Sequence, residues 1–108
     1  MRLIKTIVRQ HKLEEVRRAL EMLGVPGLTV SQVQGTGKAR GDLLFYRGVA
    51  YAPLRPSMQL ELVVGDELVD DTVRTIISAA RTGAIGDGMV FVSGVDDCYR
   101  IRTGDWEG

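Results

Sequence analysis

Two amphipathic helical segments, each lying between short apolar strands, constrain the fold of this chain more than any other feature. In the first segment, Leu13, Val16 and Leu20 recur at the spacing that places them on one face of a helix. Gly24 follows at the point where a helix commonly ends in a left-handed residue. The second segment is predicted to begin after Asp66, a residue type that favours the N-cap position. Each helix must bury an apolar face, so we expect the flanking strands to form a sheet that receives both.

The strand pattern completes the order of elements. Apolar, β-branched stretches predict strands over 3–8, 28–34, 57–64 and 89–92, with a short final strand over 98–102. This βαββαβ order with a short extra C-terminal strand is typical of the α+β ferredoxin-like sandwich, in which two helices cover one face of an antiparallel sheet. Because the strand over 57–64 is apolar on both sides, we expect oligomerisation to bury the open sheet face.

Composition limits the classes of protein that fit this fold. A chain of 108 residues forms one domain, and 14 basic residues balanced by 14 acidic residues disfavour a nucleic-acid-binding protein. No apolar run reaches the roughly 18–20 residues of a membrane span, and residues 1–5 lack the apolar core of a secretory signal. The single Cys98 is typical of a reducing compartment. We therefore expect a cytoplasmic protein that neither inserts into a membrane nor binds nucleic acid.

Residues for catalysis or metal binding are not recognisable in the sequence. His11 and Cys98, one of each type, do not supply a zinc site, and no Ser/His/Asp or Cys/His set for nucleophilic catalysis is apparent. Acylphosphatases share the predicted fold and use an arginine with an asparagine, but this chain has no asparagine. The sequence therefore predicts that the protein is not an enzyme, with no catalytic residue and no metal site.

Residues 82–88 form a glycine-rich stretch, the glycine segment. This segment is the first feature that indicates a ligand-binding site. Gly83 alone would fit a helix end, but Gly86 and Gly88 flank Asp87 immediately before a predicted strand. Such a turn exposes backbone N–H groups that can surround a phosphate, and plain turn chemistry is the alternative.

Two arginines strengthen the phosphate interpretation. If residues 98–102 form a strand, Arg100 and Arg102 lie on the same face. Two like charges side by side repel unless an anion or acidic residues lie between them. We interpret the pair as a partner for the phosphate, with a solvated edge strand as the alternative.

The region over 35–56 has several glycines and prolines and no sustained periodicity. A loop of this length is generally either functional or disordered. A basic glycine-rich turn over 35–41 opens it, and its cations either reach phosphates or solubilise a mobile segment. Tyr46 and Tyr51 cannot both lie in the core, and we expect Tyr46 to pack the loop onto its own domain.

Together these stretches resemble the PII signal-transduction family of small trimeric nitrogen regulators. The resemblance runs over 1–104, and the stretches that carry it most clearly are 13–20, the hexapeptide 46–51, 80–93 and 100–104. It implies one PII-like domain over 1–108 that forms a homotrimer, with adenine nucleotides bound in the clefts between subunits. It also implies that residues 37–56 are a flexible loop, the T-loop, which contacts targets such as ammonium transporters and nitrogen-metabolism enzymes.

The resemblance also implies roles for individual residues. Those expected to line the nucleotide cleft are Thr29, Gly35, Gly37, Lys38, Val63, Gly86, Asp87, Gly88, Met89, Arg100 and Arg102. Val63 and the segment around Gly86 would flank the adenine, while Arg100 and Arg102 of a neighbouring subunit would hold phosphates. Tyr51 matches the tyrosine that some family members have uridylylated.

Three positions depart from the family's pattern. Met89 stands where a lysine usually follows Gly-Asp-Gly, so we expect ATP to bind less tightly and ADP or AMP to compete better. Ala39 replaces a glutamine that helps hold magnesium and 2-oxoglutarate, and Ser57 replaces a lysine that meets the 2-oxoglutarate carboxylate. These departures leave magnesium unassigned and argue against 2-oxoglutarate sensing.

The function that follows from the resemblance is a nucleotide-binding regulator of a transporter or enzyme, in nitrogen metabolism. The alternative is a PII-like sensor of another small metabolite or anion, such as bicarbonate, linked to a non-ammonium transporter and without a 2-oxoglutarate response.

Overall fold

The structure, a computed structural model, describes residues 1–36, 44–51 and 53–107. Its strands are β1 (Arg2–Val8), β2 (Thr29–Gly35), β3 (Leu44–Tyr46), β4 (Val49–Tyr51), β5 (Arg55–Val64) and β6 (Met89–Gly94), and its helices are α1 (Leu13–Leu23) and α2 (Val69–Ala80). A short 3₁₀ turn precedes each helix, over Gln10–Lys12 and Asp66–Leu68. No described helix has both the length and the apolar character needed to cross a membrane.

The main sheet is antiparallel, with the strand order β2-β5-β1-β6. With two helices and four sheet strands in this order, the predicted α+β ferredoxin-like sandwich is confirmed. The central strand β1 places Ile7 opposite Met89 of β6, while Val8 lies opposite Met58 of β5. The end of β1 therefore lies beside the start of β6, which the glycine segment immediately precedes.

The core lies between the sheet and the two helices. Alternate residues of β1, such as Ile4 and Thr6, are fully buried, because successive side chains of a strand point to opposite faces. The buried apolar residues are Ile4, Val8, Val16, Leu20, Leu60, Leu62, Val64, Ile76 and Ala80. Both amphipathic helices thus bury most of the apolar face that their spacing predicts, although Ile77 of α2 is 40% exposed.

The helix ends agree with the sequence prediction at one position and differ at another. Gly24 ends α1 at φ 95° and donates its N–H to the Glu21 carbonyl, as predicted. The prediction that Asp66 caps the second helix by its side chain is wrong. Asp66 lies inside the 3₁₀ turn, where its carboxylate accepts a hydrogen bond from the Met1 amino nitrogen at 2.6 Å. A charged donor binds a carboxylate more strongly than a neutral helix N–H does.

The predicted C-terminal strand over 98–102 is also wrong. Tyr99 and Trp106 form a single bridge, and the chain between them turns back on itself. The Arg100 N–H donates to the Asp105 carbonyl at 2.8 Å, and the Gly104 N–H donates to the Arg100 carbonyl at 2.7 Å. This stretch therefore pairs with its own continuation and not with an edge of the sheet. Since Arg102 lies in the turn, the two arginines do not share a strand face.

Part of the long loop forms a hairpin that the sequence pattern missed. In β3 and β4, Leu44 lies opposite Tyr51 and Tyr46 opposite Val49. The two residues between the strands have positive φ, 51° at Arg47 and 79° at Gly48, as tight two-residue hairpin turns require. Tyr46 is 62% exposed, so its expected packing onto the domain is not observed.

The sheet face opposite the helices carries both charged and apolar residues. Its register sets Lys5 opposite Glu61 of β5 and Phe91 of β6, and Leu3 opposite Val63. Phe91 is 49% exposed and Val63 is 36% exposed. In the described chain this face is therefore open, as its strand pattern predicts.

Candidate functional site

The glycine segment joins α2 to β6 and lies against the end of β1. Gly86 and Gly88 adopt φ 100° and 102°, backbone conformations that favour glycine. A Cβ atom at Gly88 would lie 1.7 Å from the carbonyl oxygen of Ile7. Close backbone packing thus requires glycine at this position, whatever the segment binds.

The segment is wrapped around the side chain of Asp87. One carboxylate oxygen accepts hydrogen bonds from the backbone N–H groups of Thr82 and Gly83, both at 2.8 Å. The other accepts a hydrogen bond from the Thr82 hydroxyl. Two of the N–H groups that the sequence pattern offered to a ligand are therefore taken by a residue of the segment itself.

Arg9, which directly follows β1, binds the glycine segment and holds it against the sheet. Its Nε lies 3.0 Å from Oδ1 of Asp87, and its Nη2 donates to the Ile85 carbonyl at 2.7 Å. The pKa of the Asp87 carboxyl is held well below its usual range, first by the Thr82 hydroxyl, then by the Thr82 N–H, Arg9 and the Gly83 N–H. Asp87 therefore carries a negative charge that the segment itself stabilises.

Sequence reasoning missed Arg9 as a site residue. The only local signal is a cation that directly follows an apolar strand, and this is common at the ends of strands. Its partner lies 78 positions away in the chain, and only the β1–β6 pairing brings the two together.

A polar cavity of about 410 Å³ lies beside the glycine segment. The residues that line it are Arg9, Gln10, His11, Arg55, Pro56, Ser57, Ile85 and Gly86. Two arginines contribute to its wall, Arg55 and Arg9, and Arg9 is ion-paired with Asp87. Among the described residues, the backbone N–H groups of Ile85 and Gly86 have no hydrogen-bond partner. Arginine side chains and unpaired N–H groups can hold a small anion.

An apolar cavity of about 360 Å³ lies between α2, β1 and β6. Ile76, Ile77 and Val73 of α2 contribute to its wall, and Asp87 and Gly88 contribute from the glycine segment. The glycine segment thus lies against one polar and one apolar cavity.

The remaining predicted site residues are dispersed in a single chain. Thr29 begins β2 opposite Glu61, and Gly35 ends β2 opposite Arg55. Val63 lies opposite Leu3. Since Met89 lies opposite Ile7, Val63 is about 13 Å along β1 from the start of β6. One chain therefore does not bring Val63 to the glycine segment.

Four of the residues named in the sequence analysis contribute little or nothing to the description of the site. Gly37 and Lys38 lie outside the described residues, as does Ala39. Tyr51 ends β4, opposite Leu44.

The arginine pair makes no contact with the glycine segment within the described part of one chain. Arg100 Nε lies 2.6 Å from Oε1 of Glu107, and this partner raises the pKa of the guanidinium above its usual value. Arg102 is exposed in the turn that follows. In this chain, the anionic partner of Arg100 is therefore Glu107.

Metal ligands are not clustered in the part of the chain that the structure describes. No group of three or more histidine, cysteine, aspartate or glutamate side chains there could hold a metal ion.

The fold and the site together define a small α+β domain of the ferredoxin-like class. Its final strand follows a glycine-rich turn that Asp87 and Arg9 hold in place by hydrogen bonds. The family model described as nitrogen regulatory protein P-II matches residues 1–105. The chain belongs to this family, which confirms the resemblance inferred from its sequence.

Individual relatives are similar to this chain over nearly its whole length. Nitrogen regulatory protein P-II 2 of Methanothermobacter thermautotrophicus is 50% identical over 106 residues, which cover 97% of this chain and 92% of the relative. Nitrogen regulatory protein P-II of Rhizobium etli is 44% identical, covering 97% of this chain and 95% of the relative. The protein of that name from Haemophilus influenzae is 42% identical with the same coverage, 97% and 95%.

Proposed function

We propose that the protein is a cytoplasmic, homotrimeric signal-transduction regulator that binds ATP or ADP, with AMP a further candidate, in the clefts between its subunits. It acts on a transporter or an enzyme of nitrogen metabolism through the T-loop of its single PII-like domain. Membership of the nitrogen regulatory family supports the regulatory role. The observation that carries nucleotide binding is the fixed shape of the glycine segment, which lies beside a polar cavity.

In this proposal, each nucleotide site is completed by two chains. Gly86, Gly88 and Met89 belong to the segment that flanks the adenine. The loop backbone holds the phosphates, together with Arg100 and Arg102 of the neighbouring subunit. The remaining residues of the cleft are Thr29, Gly35, Gly37, Lys38, Val63 and Asp87. The dispersal of Val63 and Arg100 in one chain supports a site between chains.

The open sheet face is the surface that trimer formation buries. Phe91 and Val63 contribute apolar area there, and Lys5 lies between Phe91 and Glu61. An exposed apolar patch of this kind is typical of surfaces that associate.

Met89 governs which nucleotide is preferred. Its side chain is 64% exposed and carries no charge, so no cation is available at this position for a terminal phosphate. Compared with a protein that has a lysine at this position, the affinity for ATP is therefore lowered more than the affinity for ADP or AMP. Because Asp87 is fully engaged by Thr82, Gly83 and Arg9, magnesium is not assigned to it.

The hairpin inside the T-loop is the surface offered to a target. Tyr46 and Val49 are both more than half exposed, and the guanidinium of Arg47 stacks over the Tyr46 ring at 5.3 Å. Tyr51 is the candidate for covalent modification.

A second function is favoured by the polar cavity. Ser57, which is 3% exposed, lines it in place of the family's lysine, while Arg55 lies nearby in the same wall. A small anion, such as bicarbonate, is the candidate ligand of this cavity. In that case the target is a non-ammonium transporter and the 2-oxoglutarate response is absent.

Calorimetry with ATP, ADP and AMP, each with and without 2-oxoglutarate or bicarbonate, tests both functions. We expect adenine nucleotides to bind, ADP to compete well with ATP, and 2-oxoglutarate to add nothing. Strong enhancement of ATP binding by 2-oxoglutarate would contradict the prediction that Ser57 and Ala39 prevent 2-oxoglutarate sensing. If none of the three nucleotides binds, the proposed function itself is overturned.

A further inference from the structure

Both oxygens of the Asp87 carboxylate are occupied by donors from the protein. Oδ1 faces Arg9 Nε at 3.0 Å and the Thr82 hydroxyl, while Oδ2 accepts the N–H groups of Thr82 and Gly83 at 2.8 Å. Charge-assisted hydrogen bonds of this kind are among the stronger polar contacts in proteins. Asp87 therefore acts on the segment that carries it and has little capacity left for a ligand.

Thr82 makes the largest number of these contacts. Its N–H and its hydroxyl both donate to Asp87, and its hydroxyl oxygen accepts the N–H of Ala84 at 3.2 Å. Only serine or threonine supplies a hydroxyl that donates and accepts in this way from so short a side chain.

Arg9 joins the segment to β1 at two points. The guanidinium binds Asp87 and the Ile85 carbonyl, and it passes close to Gly86, where a Cβ atom would lie 3.2 Å from Nη2. A lysine cannot make both contacts from one planar group.

From these contacts we propose that Thr82 and Arg9 are positioning residues of the nucleotide site. With Asp87 they lock the glycine segment into its ligand-accepting shape before any ligand arrives. The inference rests on the proposed function, because it assigns how that site is held ready. A segment that is already ordered does not lose affinity to ordering when the nucleotide binds.

Thr82→Val tests the lock because it keeps the shape of the side chain and removes the hydroxyl. Without nucleotide, we expect faster hydrogen exchange than in the wild-type protein at the hydrogen-bonded amides within 82–88, which are those of Thr82, Gly83 and Ala84. Affinity for ADP, measured by calorimetry, should fall on the order of tenfold. Thr82→Ser should restore slow exchange and affinity together.

Thr72→Val is the matched control. Thr72 is fully buried in α2, where its hydroxyl donates to the Leu68 carbonyl at 2.8 Å, away from the glycine segment. This change should lower stability while leaving exchange at 82–88 and ADP affinity as in the wild type. Arg9→Lys serves as a second probe of the lock, with losses in the same two measurements.

The outcomes separate this inference from the proposed function. Slow exchange in Thr82→Val, or fast exchange with unchanged ADP affinity, would overturn the positioning role. If the wild-type protein binds no adenine nucleotide, the proposed function fails. In that case slow exchange at 82–88 in the wild type that is lost in Thr82→Val would still establish the lock, but not its purpose.

Discussion

A methyl group at Gly88 would collide with the backbone of β1, whereas one at Gly83 would meet open space. Both residues have positive φ, 102° and 88°, yet only Gly88 approaches Ile7, with a Cβ position 1.7 Å from its carbonyl oxygen. The two glycines therefore separate the cost of backbone conformation from the cost of close packing.

Gly88→Ala should lower the free energy of unfolding by about 3 kcal/mol, because strain and collision act together. Gly83→Ala should cost only about 1 kcal/mol, from conformation alone. Urea denaturation of both variants measures the difference. Equal losses would show that the contact with β1 does not matter.

The charge of Asp87 makes a second prediction, on pH dependence. Since its pKa is lower in the folded protein than its ordinary value of 3.8, its contribution to stability is complete above that value. The contribution is then lost as pH falls toward the lower folded pKa. Asp87→Asn should therefore be destabilised at neutral pH and lose less stability on acidification than the wild type.

Urea denaturation at neutral pH and at about pH 3 gives the free energy of unfolding of the wild type and of Asp87→Asn for comparison. Asp66 and Glu14 also have lowered pKa values, so some acid sensitivity should persist in the variant. An unchanged acid dependence in Asp87→Asn would contradict the network around this carboxylate.

Glu107 competes with a ligand for Arg100 in the proposed site. Glu107→Gln removes the charge from the 2.6 Å ion pair and should raise nucleotide affinity. The gain should be at most about fivefold, because exposed pairs are weak. Glu14→Gln, which loosens an exposed pair with Arg17 on α1, is the control. Calorimetry with ADP that finds lower affinity in Glu107→Gln would contradict the competition.

At the scale of elements, the sequence predicts those whose signal is local. The stripe of Val16 and Leu20 predicts α1, and Gly24 predicts its end, because each signal lies within a few residues. The predicted C-terminal strand is wrong because this stretch turns back and hydrogen-bonds to its own continuation instead of to an edge of the sheet. The hairpin around Arg47 and Gly48 was missed because its strands are short and lie in a loop rich in breakers.

The same distinction applies to the candidate site. Gly86, Asp87 and Gly88 are recognisable because they are neighbours in sequence. Arg9 is not, because only the pairing of β1 with β6 brings it to Asp87.

The β3–β4 hairpin should be separable from the proposed nucleotide site. Gly48→Val places a β-branched residue at φ 79°, so the turn and the β3–β4 pairing should weaken. We expect faster amide exchange at Tyr46 and Val49, with unchanged ADP affinity. Gly27→Val, where a Cβ atom has no neighbour within 4 Å and φ is not positive, is the control. Unchanged exchange in Gly48→Val would contradict the hairpin turn.

At the scale of the whole molecule, the proposed nucleotide site depends on the association of several chains. A single chain leaves Phe91 and Val63 on an open sheet face, and it leaves Arg100 paired with Glu107 instead of with a ligand. Both features are explained if neighbouring chains cover the sheet and contribute arginines to each other's glycine segments.

Mixing two defective variants tests this claim most directly. Arg100→Ala/Arg102→Ala removes the cations, and Gly86→Val disrupts the glycine segment, so neither variant alone should bind ADP. Trimers co-assembled from equal amounts of both should recover binding in about a quarter of their clefts, where an intact segment meets intact arginines of its neighbour. If calorimetry on these mixed trimers detects no recovered ADP binding, the shared cleft is contradicted.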